Sequence, residues 1–255
     1  MLSTFIFIIN SIIYFRYINI SNFKSMNRVL ILGASSDIGH ELILKFLGKN
    51  FKIYAHYNSN KPKINSNNIK YIKSDFLKAN EFKKFLSRIK NIKFSCFVNL
   101  IGFIDNKEIH SVNYDSLINS LKVNYVYPFI VAKTVSKDMK KNKFGRLLQC
   151  SSIGVKFGGG KNTFTYSSAK HAIEFIPRYF RELSEHNVLY NVLRIGVTET
   201  KIHKKISKKN MQMRISKIPQ KKIAKPIEIA NFIYELASER NTFVSNQVLS
   251  ISGGE

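Results

Sequence analysis

Tryptophan is absent from this 255-residue chain, cysteine occurs twice, and only 16 acidic residues face 41 lysines and arginines. So few cysteines exclude a disulfide-stapled scaffold. Cys96 and Cys150 each lie in an apolar, strand-like run where a free thiol packs as a small hydrophobe, which implies a reducing compartment, the cytoplasm. Neither belongs to a Cys-x-x-Cys pair and the six histidines show no ligand spacing, so no metal is expected. Internal repeats and low-complexity linkers are also missing, which leaves out solenoids and tandem arrays. What remains is ordinary: 44% hydrophobic and 22% charged residues describe a chain that folds. Its length suits one domain with a full core.

A net charge of +25 raises the question of nucleic acid or an anionic membrane as partner. The lysines are spread over predicted helices and loops and form no arginine-rich stripe, so no nucleic-acid partner is expected. Abundant lysine, isoleucine and asparagine is what an AT-rich genome writes at loosely constrained surface positions. The densest cluster, Lys201 to Lys225, keeps a functional reading.

Residues 2–20 are apolar but interrupted by Asn10, Ser11 and Arg16. A membrane span needs about 20 mostly apolar residues, and a charge near its centre costs roughly 2.5–3.5 kcal/mol. No basic region precedes the run and no small-residue cleavage site follows it, which argues against a secretory signal. Met26 stands just before the first predicted strand. Residues 1–26 therefore read as an apolar extension of a 27–255 domain, either an appended or mis-called start, which is preferred, or a membrane or interfacial anchor.

From Arg28 onward strands and helices alternate. Apolar runs predict strands at 28–32, 52–56, 69–73, 94–100, 145–150, 189–195 and 247–251. Helical spacing predicts helices at 38–47, 80–90, 116–140, 166–185 and 226–238. Strands joined by crossover helices pair in parallel, so the fold class is α/β, a single doubly wound parallel sheet with helices on both faces. Its ligands belong at the carboxyl ends of the strands.

Two motifs carry chemistry. Gly33-Ala34-Ser35-Ser36-Asp37-Ile38-Gly39 joins the first strand to the first helix, where glycines let backbone approach a pyrophosphate and free N–H groups favour its charge. Tyr166-Ser167-Ser168-Ala169-Lys170 follows the strand-end serines Ser151 and Ser152 and the loop Gly158-Gly159-Gly160. Residues four apart share a helix face, so Tyr166 and Lys170 can meet one ligand. A phenol of ordinary pKa about 10 is a poor acid or base near neutrality, and a nearby ammonium stabilises its phenolate.

From about Arg28 to Gly254 these motifs resemble the short-chain dehydrogenase/reductase family, and the segment Arg214 to Pro226, with the helix and strand after it, is most similar to its 3-oxoacyl-[acyl-carrier-protein] reductases. The opening Thr-Gly-x-x-x-Gly-x-Gly appears as Leu32 to Gly39, and Asn-Asn-Ala-Gly as Asn99-Leu100-Ile101-Gly102. The stretch from Arg194 to Thr200 is similar to the family's nicotinamide-lining Pro-Gly segment, and Gln247 to Gly254 to its closing strand. The resemblance implies a Rossmann-type sheet and a catalytic tetrad of Asn124, Ser152, Tyr166 and Lys170, with Ser151 a second candidate for the serine. It implies cofactor contacts at Gly33, Ser35, Ser36, Asp37, Ile38 and Gly39. Others fall at Tyr57, Asn58 and Ser59, at Asp75 and Phe76, at Asn99, Ile101 and Gly102, and at Val197, Thr198 and Thr200, besides Tyr166 and Lys170.

Four positions depart from the pattern: Asp37 for the middle glycine, Ile101 for an alanine, Ile195 for the proline and Ser252 for an aspartate. Asp37 either sets a carboxylate against the pyrophosphate or caps the helix after it.

On the family's chemistry Tyr166 donates a proton to the developing alkoxide and Ser152 hydrogen-bonds it. Lys170 lowers the tyrosine pKa and holds the ribose, and Asn124 anchors a water leading from Lys170 to solvent. The second strand ends without the carboxylate that would bond a ribose 2'-hydroxyl, while Asn58, Ser59 and Lys61 would suit a phosphate. NADP(H) is therefore expected over NAD(H). The expected reaction reduces a carbonyl, on a 3-oxoacyl thioester whose acidic carrier meets Lys204, Lys205, Lys208 and Lys209. Two alternatives stay open: a sugar, polyol or other small alcohol as substrate, or a non-catalytic cofactor-binding or anchored scaffold. The resemblance also implies a homotetramer or homodimer packed through helices 116–140 and 166–185. Val123, Val126, Phe129, Ile130, Ile173 and Phe175 are taken as apolar excess for that interface.

Overall fold

Arg28–Leu32 (β1) reads RVLIL, and the four residues after Arg28 are fully buried, as a strand covered on both faces requires. The computed structural model describes residues 27–201 and 211–255. The apolar extension and the lysines at 204, 205, 208 and 209 lie outside the described residues. Along the chain β1 is followed by Asp37–Leu47 (α1), Lys52–Tyr57 (β2), Ile69–Lys73 (β3), Ala79–Ile89 (α2) and Cys96–Asn99 (β4). Tyr114–Leu121 (α3) and Tyr127–Lys141 (α4) come next, then Gly145–Ser152 (β5), Phe164–Glu174 (α5), Arg178–Glu182 (α6) and Val188–Ile195 (β6). Met211–Ser216 (α7), Pro226–Ala237 (α8) and Val248–Ile251 (β7) complete the described elements.

All seven strands are parallel, in the order β3-β2-β1-β4-β5-β6-β7. The order reverses between β1 and β4, and there the carboxyl-end loops part into a crevice. One core layer packs α1 and α8 on the sheet through Leu42, Phe46, Ile233 and Tyr234. The other packs α2, α4 and α5 through Phe82, Phe85, Val131 and Ile173. The α/β doubly wound sheet expected from the sequence is the observed fold, and both cysteines are buried free thiols.

Two predicted helices need correction. The segment 116–140 is divided by a π-helical turn, Lys122–Val126, just ahead of Pro128, whose ring nitrogen gives the ladder no N–H. The segment 166–185 is not one helix. It stops at Glu174, Phe175 turns extended with ψ 111, and a short helix restarts after Pro177, whose ring and missing N–H do not fit a continuing helix. The apolar excess on these segments also divides. Val123 and Ile173 are core, Phe129 and Ile130 pack against it, and Val126 and Phe175 are exposed. Helix α7 was not expected at all; its six residues carry no buried face to betray them.

Candidate active site

A cavity of about 1530 Å³ opens at the carboxyl ends of β1, β4, β5 and β6. That exceeds the few hundred to about 1000 Å³ of an ordinary small-ligand pocket, leaving room for a dinucleotide and a substrate together. Gly33 forms one end, in the left-handed region at φ 72, where an added Cβ would lie 2.9 Å from the Leu100 carbonyl carbon. Only glycine fits so close a crossing of two loops. Ser36 caps α1 by accepting the Gly39 N–H at 3.0 Å, and a Cβ on Gly39 would meet the Ala34 oxygen at 2.6 Å. Backbone and the first turn of α1 therefore lie open to an anion.

Asp37 does not cap the helix. Its carboxylate accepts the Lys201 N–H at 2.7 Å and pairs with the Lys201 ammonium at 3.4 Å, tying the chain after β6 to the glycine turn. Its charge beside the glycine turn is thus already partnered by a residue the motif did not flag. A second unflagged residue is His56 on β2, buried beneath the same turn.

The other end of the cavity is built on α5. Lys170, 2% exposed, donates to the carbonyls of Ile101 at 2.7 Å and Cys150 at 2.6 Å. Burial pushes its pKa down to about 8. Tyr166 lies one turn earlier, its ring centre 5.7 Å from the Lys170 ammonium, and its hydroxyl is hydrogen-bonded to Ser152. Burial pushes the phenol up to about 12, and the Ser152 bond offsets this only in part. Lys170 itself is held by the two carbonyls, and at Tyr166 desolvation outweighs the Ser152 bond.

The two serines separate by partner. Ser151 shares its one hydroxyl proton between the Lys170 carbonyl at 3.1 Å and Glu174 at 2.8 Å, whose carboxylate forms a two-point bond with Arg194, so that proton is committed to the fold. Ser152 faces the phenol.

Of the residues flagged for cofactor contact, most line the cavity: Gly33, Ser35 to Ile38, Asn58, Ser59, Asp75, Phe76, Ile101, Gly102, Val197, Thr198 and Thr200. Gly39, Tyr57 and Asn99 do not. Gly39 serves packing, Tyr57 turns its ring to Tyr71 at 6.3 Å, and Asn99 bonds Gln149 and the Ile101 N–H. Asn124, fully buried on the π turn, bonds both backbone groups of Phe103 and so pins the loop whose Ile101 carbonyl receives Lys170. Lys61 sits over the Tyr71 ring at 4.8 Å, next to the cavity-lining Asn60. No group of metal-ligating side chains occurs among the described residues.

Residues 33–255 match the family model described as enoyl-(acyl carrier protein) reductase. The 3-oxoacyl-[acyl-carrier-protein] reductase FabG of Buchnera aphidicola subsp. Schizaphis graminum is 25% identical over 243 residues, covering 88% of this chain and 95% of that protein. The 3-oxoacyl-[acyl-carrier-protein] reductase MabA of Mycobacterium tuberculosis H37Rv is 32% identical over 142 residues, 55% of this chain and 56% of that one. Among solved structures, ElxO with NADP bound superposes with a TM-score of 0.76 at 23% identity, covering 90% of this chain and 98% of that chain.

Proposed function

Because the chain belongs to the short-chain dehydrogenase/reductase family, an NAD(P)-dependent group of oxidoreductases, we propose that it reduces a 3-oxoacyl thioester with NADPH. The observation that carries this reading is one cavity in which a Ser152-bonded phenol and the buried ammonium of Lys170 open on the same space as the Gly33 turn. The glycine crossing, the open N–H groups of α1 and the volume of the cavity fit a dinucleotide. When bound, its nicotinamide supplies the hydride.

The side chains supply the rest. Tyr166, its pKa raised to about 12, keeps its proton at neutral pH and so acts as the acid for the developing alkoxide. Ser152 hydrogen-bonds the same oxygen as charge grows on it. Lys170 uses two of its three N–H donors on carbonyls and offers the third to the ribose. Asn124 acts on Lys170 through the 101–103 loop.

NADP(H) is preferred because β2 ends in Tyr57-Asn58-Ser59-Asn60, with no carboxylate to repel a 2'-phosphate, and Asn58, Ser59 and Asn60 line the cavity. The acyl-carrier assignment rests on the named relatives and on the basic rim of Lys156, Lys161, Lys201 and Lys217, which suits an acidic carrier. A homotetramer or homodimer accords with exposed Tyr114, Ile118 and Phe175. The test is NADPH consumption with acetoacetyl thioesters, sugars and simple ketones. Turnover of the thioesters alone supports the assignment, and turnover confined to sugars or simple ketones overturns it.

A further inference from the structure

The ring of His56 joins two loops that would meet opposite ends of a nucleotide. Its Nδ1 accepts the Gly33 N–H at 3.2 Å, and its Nε2 lies 2.9 Å from the Ser74 carbonyl oxygen. Gly33 N–H can only donate and a carbonyl can only accept, so the ring is neutral with its proton on Nε2. The His56 backbone oxygen also accepts the Ala34 N–H at 2.9 Å. One residue thus holds two successive N–H groups of a turn whose first member already has a left-handed φ.

On the far side of the ring, the Ser74 N–H donates to the Tyr57 carbonyl, and Asp75 and Phe76 follow on the cavity wall. Phe76 lies against the imidazole at 4.4 Å and Phe85 meets it edge-on at 5.2 Å, so the ring has no freedom to find other partners.

We propose that His56 is a positioning residue for the nucleotide, setting the Gly33 turn and the Ser74-to-Phe76 turn in register so that one dinucleotide can touch both. This rests on the cofactor reading above. The same geometry makes the site acid-sensitive. A proton on Nδ1 would put two donors face to face and release the Gly33 N–H. Burial holds the pKa of the ring down at about 4, with the Ser74 bond opposing it. The charged groups on the elements around the ring are Arg28 on β1, Lys52 on β2, Lys70 and Lys73 on β3, Asp75 and Lys78 on the turn after it, and Glu81, Lys83, Lys84 and Arg88 on α2. Asp75 accepts the Leu77 N–H, Glu81 accepts the Asp75 N–H and pairs with Lys78, and none forms an ion pair with His56.

The test compares wild type with His56→Leu and His56→Asn in the full chain, reading NADPH affinity by fluorescence titration, kcat at saturating NADPH, and hydrogen exchange at the Gly33 amide. Asparagine places an acceptor where Nδ1 stands. His56→Leu should weaken NADPH binding by about tenfold, the worth of one well-placed hydrogen bond network. Its kcat should stay within about twofold and Gly33 exchange should quicken. His56→Asn should recover most of the affinity and remove the loss of affinity that wild type shows as pH falls from about 6 toward 4. If His56→Leu does not fold, the asparagine variant's pH profile and Gly33 exchange in wild type at the two pH values decide alone. Unchanged affinity in folded His56→Leu, or a wild-type pH profile in His56→Asn, overturns the role. Wild type that binds neither NADPH nor NADH overturns the cofactor reading itself.

Discussion

The floor of the cavity and its rim are made in opposite ways. On the floor, Lys170, Ser152 and His56 are held by backbone groups or by one another, and Lys170 is 2% exposed. At the rim, Lys161 and Lys201 are 76% and 82% exposed and each is met by one carboxylate, Glu108 at 3.0 Å and Asp37 at 3.4 Å. Exposed pairs of this kind are worth about 0–1 kcal/mol and fade with salt. A buried ammonium on two carbonyls cannot be moved without leaving polar groups unpaired. On the proposed function, the floor carries the reaction and the rim adjusts which molecule reaches it.

The largest break in that comparison is Lys170→Met. It should lower reductive kcat/KM by roughly 100-fold or more. Wild-type kcat/KM should decline as pH rises through about 8, where the ammonium is lost, and the variant should be flat there. Stability moves the other way. Between about 8 and 10.5 the unfolded chain still binds the proton that the folded chain has released, so this site's contribution to stability rises with pH. Urea melts at pH 8 and pH 10 read the slope, and a decline above 8 that persists in the variant would assign it elsewhere.

Adjacent serines give a sharper contrast at smaller cost. Ser152→Ala should reduce kcat by about 10- to 100-fold with little change in melting temperature. Ser151→Ala should cost about 1 kcal/mol of stability through its lost bond to Glu174, with kcat within a few-fold. Equal loss of kcat in both would erase the division between them. Smallest is the rim. Replacing Lys156, Lys161 and Lys217 together by glutamate should raise KM for a carrier-linked substrate about three- to tenfold at low salt, with the difference shrinking at high salt. A small free thioester should be untouched, and equal effects on both substrates would make these lysines a solvated surface.

The sequence made the floor readable because its demands are local. A left-handed glycine between strand and helix, a Tyr and a Lys one turn apart, and apolar strands buried on both faces all leave a mark at fixed spacing. What escaped it depends on distant partners. His56 looks like one more residue in a strand until β2 is laid beside β1 and its ring reaches residues 33 and 74. Asp37 does not cap its own helix, because its carboxylate meets Lys201, 164 residues away. The break at Phe175 was signalled by Pro177 but masked by apolar spacing that continues on both sides.

The central claim, a phenol acting as proton donor on a prebuilt floor, is tested most directly by Tyr166→Phe. Turnover of an acetoacetyl thioester with NADPH and equilibrium NADPH binding should be measured on the same preparation. The account predicts a fall in kcat of about 100- to 10,000-fold, the usual worth of a positioned acid, with NADPH affinity within about twofold of wild type. A variant that turns over at near wild-type rate, or that loses NADPH binding along with turnover, would contradict it.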